Sequence, residues 1–398
     1  MSNVQHRMSV DEVRRRLLKK QKLTDDGAAD VVAVCDDLVG LHATGTTSPY
    51  LQVFARLPGF RRADLEDALY RDRSLARVRC MRGTVFIVSR SMLPIVMAAT
   101  RRIVEPLSTR FLASVGVTEN EYLALAARIE AVLDSSDHAL TAGQLRQHMR
   151  ADQSLSRVVN LMCDQGRLVR DRPVGSWKSR TFTYRRFHDA VPNIVPIAED
   201  EAVRQIASLY IRSYGPVTLS DLAWWSGLGL RPMQQVVEEL GDVVQIDIDG
   251  NGSVWLAHTD DLATIISPDI EPTAPVVRLL PELDPFLMGR YDRHLFFDQA
   301  FVDYITDRAG NVTSTVMIDG RVVGVWDVAE TPTPAVGVHL FDPEQPGYAQ
   351  VHEQAARVAQ FWFNREVPIV EVSTMPSLKS RSAGGFLSPL AKDNTTTG

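Results

Sequence analysis

Between residues 38 and 57 the chain reads LVGLHATGTTSPYLQVFARL, which sets one histidine and four hydroxyl side chains between two apolar, helix-like runs. The polar set is His42, Thr44, Thr46, Thr47 and Ser48. An imidazole with its ordinary pKa of about 6.5 is mostly neutral at pH 7 and can take a proton from water as a general base. The Thr44 hydroxyl can accept from or donate to the same water. If the backbone is extended, residues 42 and 44 face one side and Ala43 faces the other. A structural reading stands beside this one: His42 can close the C-terminus of the preceding helix. Thr46, Thr47 and Ser48 read as caps of the next helix, with Ser48 at N-cap and Pro49 at N1.

The bounds on what these groups could serve come from composition. At 398 residues, two to four domains are expected. Hydrophobic content of 45% and charged content of 23% are ordinary for a soluble globular chain. No apolar run has the length of a membrane span and no signal-peptide core is visible, so a cytoplasmic location is expected. Cys35, Cys80 and Cys163 lie far apart without CxxC spacing, which excludes a recognisable zinc site and a disulfide framework. The remaining histidines show no ligand spacing and no Gly-rich phosphate loop is present, so neither a metal nor a cofactor is expected.

Charge is unevenly distributed. The net charge is −6. Residues 71–110 nevertheless carry nine arginines against Asp72 and Glu105, and residues 163–188 carry seven Lys/Arg against Asp164 and Asp171. Residues 198–274 reverse the sign, with thirteen acids against three arginines. Local field decides attraction to a polyanion, so the acidic total does not exclude DNA.

The elements that would position these groups repeat a pattern. Ser9 and Glu12 have capping-box spacing before VRRRLLKKQKL, and DVVAVCDDLVGL leads to His42. Two strand-like runs, LARVRCM and TVFIVS, follow around Arg82-Gly83. Residues 122–188 repeat the order of helices and hairpin, with Thr141 as a cap and Gly166 as a helix stop. Residues 200–260 repeat it again, with Thr218 or Ser220 capping LSDLAWWSGL. The expected fold is α+β: three tandem winged-helix domains followed by a small C-terminal β-barrel-like domain. The boundaries are 7–115, 116–195, 196–266 and 267–375, with a tail at 376–398. The third unit, whose last helix ends in paired glutamates, reads as scaffold, with Trp224 and Trp225 as core residues.

In the second unit, Arg167, Arg170, Arg172, Lys178, Arg180, Arg185 and Arg186 fall on one hairpin with Trp177 near its tip. Cations on a projecting ribbon neutralise phosphates, and an apolar tip can wedge between base steps. Arg82, at the first hairpin turn, could likewise reach a phosphate. The other view is that the charges protect edge strands and Trp177 packs on its own domain. Asp284, Asp292 and Arg293 read as a buried ion pair tethering the β-rich unit, or as groups facing a DNA channel.

LVGLHATGTTSPYLQVFARL, RVRCMRGTVFIV, LLPELDPFLMGRYDR and VMIDGRVVGVW together, in this order over roughly residues 9 to 370, resemble the bacterial AlkZ-like and YcaQ-type DNA glycosylases. The resemblance implies three winged helices and a β-barrel in a C shape around duplex DNA. It further implies hydrolysis of N-glycosidic bonds of alkylated purines, bulky and crosslinked adducts included, in some members as self-resistance to a DNA-alkylating natural product. The family's catalytic Gln-hydrophobic-Gln or Gln-hydrophobic-Asp triplet falls here on His42-Ala43-Thr44, which makes His42 and Thr44 the candidate catalytic residues. An N7-alkylated purine is already cationic and leaves readily, so a positioned water and a weak base suffice. No lysine lies near the loop in sequence, so a monofunctional enzyme without a Schiff base is expected. The implied partner is double-stranded DNA carrying alkylated bases, bound by a monomer. The alternative is a non-enzymatic winged-helix DNA binder, supported by the missing glutamines. A Ser-His-Asp hydrolase finds no GxSxG elbow.

Overall fold

The structure is a computed structural model that describes residues 6–149, 155–249, 254–266, 274–342, 344 and 347–378. Most of the expected tail, and the turn at residues 250–252, lie outside the described residues. The fold is mixed, with helices packed around four separate sheets. Among the described residues no helix is long and apolar enough to cross a membrane.

Three of the sheets have three strands, each built on an antiparallel hairpin. In the first, Val85–Ser89 lies between Leu75–Arg79 and the two-residue strand Leu41–His42. In the second, Phe182–Arg186 lies between Leu168–Pro173 and Leu140–Thr141. In the third, Val243–Ile248 pairs with Trp255–His258 on one side. On its other side it pairs in parallel with His6–Met8, from the far N-terminus. The helix Val10–Lys20, opened by the expected Ser9–Glu12 capping box, follows that strand and packs beside the third sheet. Val13 and Leu17 join Trp255, Ile246 and Phe286 in one buried cluster.

A 21-residue helix, Leu93–Ala113, connects the units. It packs against the helices Leu155–Asp164 and Glu199–Tyr214. It starts without a side-chain cap, with Pro94 in its first turn, and carries Pro106 inside, where a proline ordinarily breaks a helix.

The C-terminal sheet corrects the expected barrel. Its five strands run in order Val277–Leu280, Thr315–Ile318, Arg321–Ala329, Ala335–Leu340 and Ile369–Glu371, and the two outer strands do not meet. Both faces are already covered, so nothing drives closure. Val316, Ile318 and Val336 pack under the helix Tyr348–Phe363, while Met317, Val322 and Val325 pack toward Phe286 and Leu17.

Candidate active site

His42 sits on an edge strand, not in an open loop. Its register partner is Phe86, and the Ala43 amide donates to the Val85 carbonyl at 2.7 Å. The peptide of His42 itself is completed from the other side. Its N–H donates to Gln52 Oε1 at 3.0 Å, and Gln52 Nε2 donates to its carbonyl at 2.9 Å. Gln52 thus replaces a missing strand with one carboxamide. It lies on the helix Ser48–Phe54, all of whose residues from 48 to 53 are buried.

The His42 ring is 3% exposed and tilts against Phe86, centroids 4.9 Å apart. Burial, with Arg82 nearby, depresses its pKa to about 3. The imidazole is therefore neutral at physiological pH and cannot act as an acid there. Its Nδ1 is buried without a hydrogen-bond partner. A partnerless buried polar atom costs about 1–3 kcal/mol. Thr44 follows on exposed backbone, and no hydrogen bond joins it to His42 among the described residues.

The loop beyond Thr44 departs from the expected caps. Thr47, not Ser48, is the N-cap of Ser48–Phe54, and it makes no capping bond. Ser48 Oγ instead donates to Glu282 Oε1 at 3.3 Å. Thr46 Oγ1 donates to the Lys178 carbonyl at 3.1 Å. A lysine thus does come near the loop in space, although its ammonium turns away to Glu330 and over the Trp362 ring.

One helix turn beyond Gln52, Arg56 is fully buried and forks onto Asp284, at 2.8 and 2.7 Å. It also donates to the carbonyls of Gln21 and Gln52. The expected tether of the β-rich unit is therefore present, but Asp284 pairs with Arg56 rather than with Arg293. Asp292 pairs with His294, and Arg293 donates to the carbonyls of Leu287 and Gly310.

Arg82 is the most unusual cation of the region. Its backbone is left-handed, φ 55, and its guanidinium lies 3.9 Å from the centre of the Trp224 ring. The turn at Gly227 packs against its backbone and holds that conformation: a Cβ there would stand 3.2 Å from Arg82 N and Cα. Among the described residues Arg82 makes no ion pair, and its Nε is buried without a partner. Desolvation pushes its pKa down to about 10. Arg293 lies over the same indole at 5.4 Å and is depressed alike.

The second hairpin is not the free ribbon expected. Trp177 is buried between Tyr50, at 5.1 Å, and Trp362, at 5.2 Å, so its ring is packed rather than available as a wedge. Arg167 and Arg186 share Glu130, Arg185 joins Arg73 on Asp171, Arg170 donates to Asn160, and Lys178 meets Glu330. Several of these partners lie outside the segment whose charge was counted, which is why the local excess overstated the field. Arg172, stacked on Tyr70 at 4.8 Å, and Arg180 remain exposed without a carboxylate among the described residues.

Sequence reasoning missed Gln52, Arg56 and Glu282. For the first two a signal existed, since each is a polar residue inside an apolar helical run.

The profile of the family described as DNA glycosylase AlkZ-like matches residues 35–361. A curated relative, the interstrand DNA cross-link repair glycosylase of Streptomyces sahachiroi, is 28% identical over 174 residues. That stretch covers 40% of this chain and 43% of the relative, less than half its length. The solved structure of the Streptomyces sahachiroi DNA glycosylase AlkZ superposes with a TM-score of 0.73 at 20% identity, covering 92% of this chain and all of that one. At such identity the likeness is one of fold. The family profile, spanning most of the chain, carries the kinship: the chain belongs to the AlkZ-like DNA glycosylase family.

Proposed function

We propose that this protein is a monofunctional DNA glycosylase that hydrolyses the N-glycosidic bond of alkylated, N7-substituted purines in duplex DNA. Bulky and crosslinked adducts fall within the proposed substrate class, and self-resistance to a DNA-alkylating natural product within the proposed setting. The observation that carries the reading is His42. A neutral imidazole with a partnerless Nδ1 stands at the register of the family's catalytic triplet. It accepts a hydrogen bond from the attacking water, and exposed Thr44 meets the water or the sugar from the open side. Such a site suits a cationic base that leaves without protonation and disfavours unmodified bases. Lys178, with its ammonium engaged by Glu330, leaves no amine for a Schiff base at the loop.

We read the first three sheets and their helices as tandem winged helices, with boundaries near 115, 195 and 266, that embrace the duplex as a monomer. Arg82, Arg172 and Arg180 are the cations we assign to phosphates, because among the described residues no carboxylate pairs with them. The test is release of base from duplexes carrying N7-methylguanine or a bulky N7 adduct, with an alkali step to reveal abasic sites. Release of either supports the reading. Binding of both duplexes with release of neither supports the alternative, a lesion binder, which the closed surroundings of His42 Nδ1 favour.

A further inference from the structure

The family triplet ends in an amide or a carboxylate, and here that position is Thr44. A carboxylate nevertheless stands at this loop, supplied from another part of the chain. Glu282 is exposed and accepts from Ser48 Oγ at 3.3 Å. It also lies over the backbone that follows Thr44: a Cβ at Gly45 would stand 2.6 Å from Glu282 Oε1 and 2.5 Å from Ser48 Oγ. Glycine at 45 is thus the condition for the approach. Among the described residues no cation pairs with Glu282.

Its placement is fixed rather than incidental. Leu283 adopts a left-handed backbone, φ 59, a conformation that costs a residue of its kind about 1 kcal/mol or more and persists only where its surroundings impose it. Asp284 is locked by the Arg56 fork, and Arg56, just past the end of the helix Ser48–Phe54, donates to the carbonyl of Gln52, the residue holding His42. One chain of hydrogen bonds therefore links the backbone of His42 to Asp284, two residues beyond Glu282.

We propose, on the basis of the glycosylase reading above, that Glu282 is the catalytic carboxylate of this site. The bond between C1′ and N9 of the alkylated purine breaks, and its electron pair leaves with the base, which becomes neutral. The carboxylate faces the positive charge that develops on the deoxyribose. The water oxygen bonds to C1′, and its proton passes to Glu282 and then to solvent. His42 orients that water through its neutral ring.

The test uses the full chain with Glu282→Gln, which keeps the size and the hydrogen bond from Ser48. Single-turnover release of N7-methylguanine is expected to fall by about 10²-fold or more. Affinity for the damaged duplex and thermal stability should stay within about twofold. The second arm measures affinity for duplexes holding a cationic pyrrolidine or a neutral tetrahydrofuran in place of the sugar. Wild type is expected to prefer the cation by about tenfold, and Glu282→Gln to lose that preference. Wild-type release undiminished in the variant overturns the proposal. A cation preference absent from wild type, or retained in the variant, overturns it too. If wild type releases no base but prefers the cationic sugar through Glu282, the assignment of the carboxylate stands and the hydrolytic reading fails.

Discussion

Gln52 satisfies both halves of the His42 peptide with one side chain, at 3.0 and 2.9 Å, although the two residues belong to different elements. The candidate base is therefore held by its backbone while its ring nitrogen stays partnerless.

Replacing Gln52 with Leu leaves a buried N–H and C=O unpaired. The expected loss is about 2–4 kcal/mol of unfolding free energy, read from urea denaturation. Base release should fall with it even at temperatures where the variant is fully folded. A loss below about 0.5 kcal/mol would show that pairing with Val85–Ser89 alone fixes the strand.

The pH dependence of stability has a definite sign at His42. Its folded pKa is lowered to about 3 from an unfolded value of about 6.5, so between these values the unfolded chain binds a proton that the folded chain refuses. The contribution is complete above about pH 6.5 and is lost as the pH falls toward 3. From pH 7 to 5 the loss is about 2 kcal/mol. A His42→Gln variant lacks this group, so its stability relative to wild type should rise by that amount between pH 7 and pH 5 in parallel denaturation curves. Equal slopes for the two proteins would mean that the imidazole titrates alike in the folded and unfolded chain.

Breaking the Arg56–Asp284 fork leaves one buried charge alone. Arg56→Met and Asp284→Leu are each expected to cost about 3–5 kcal/mol. Removing both charges, as Arg56→Met with Asp284→Leu, should recover part of that loss, because no uncompensated ion remains. A double-variant cycle by thermal or chemical denaturation measures the coupling.

The second hairpin separates packing from phosphate contact. Trp177→Ala should cost about 3–5 kcal/mol of stability while the folded variant binds DNA as wild type does. Arg172→Ala with Arg180→Ala should leave stability unchanged. It should reduce the slope of log affinity against log salt by about two, near one for each lost phosphate contact. Weakened DNA binding by Trp177→Ala at full folding would return the ring to the interface.

The order of helices and hairpins, the Ser9, Thr141 and Thr218 caps and the turn at Arg82-Gly83 were legible in the sequence. Caps, turns and apolar periodicity act over a few residues, so neighbouring positions suffice to read them. His42 stood out in the sequence as an imidazole between apolar runs, but the sequence read it in a loop, and the pairing that puts it on an edge strand comes from Phe86, far along the chain. The long helix Leu93–Ala113 was hidden by its interior Pro106, and packing against two other helices overrides the local cost of that proline.

What only the tertiary structure decided is which polar groups find partners. Whether a charge faces solvent or a carboxylate depends on residues far away in the chain: Arg56 on Asp284, Arg185 on Asp171 beside Arg73, Lys178 on Glu330. The same holds for Trp177, which three ring partners from other parts of the chain bury, and for Glu282, which reaches the His42 loop from 234 residues beyond Ser48. The sequence by itself determined the local elements around His42 and offered its imidazole as a candidate group. Its neutrality, its partnerless nitrogen and the carboxylate at its loop follow from desolvation and long-range contact, and those exist only once the chain has closed.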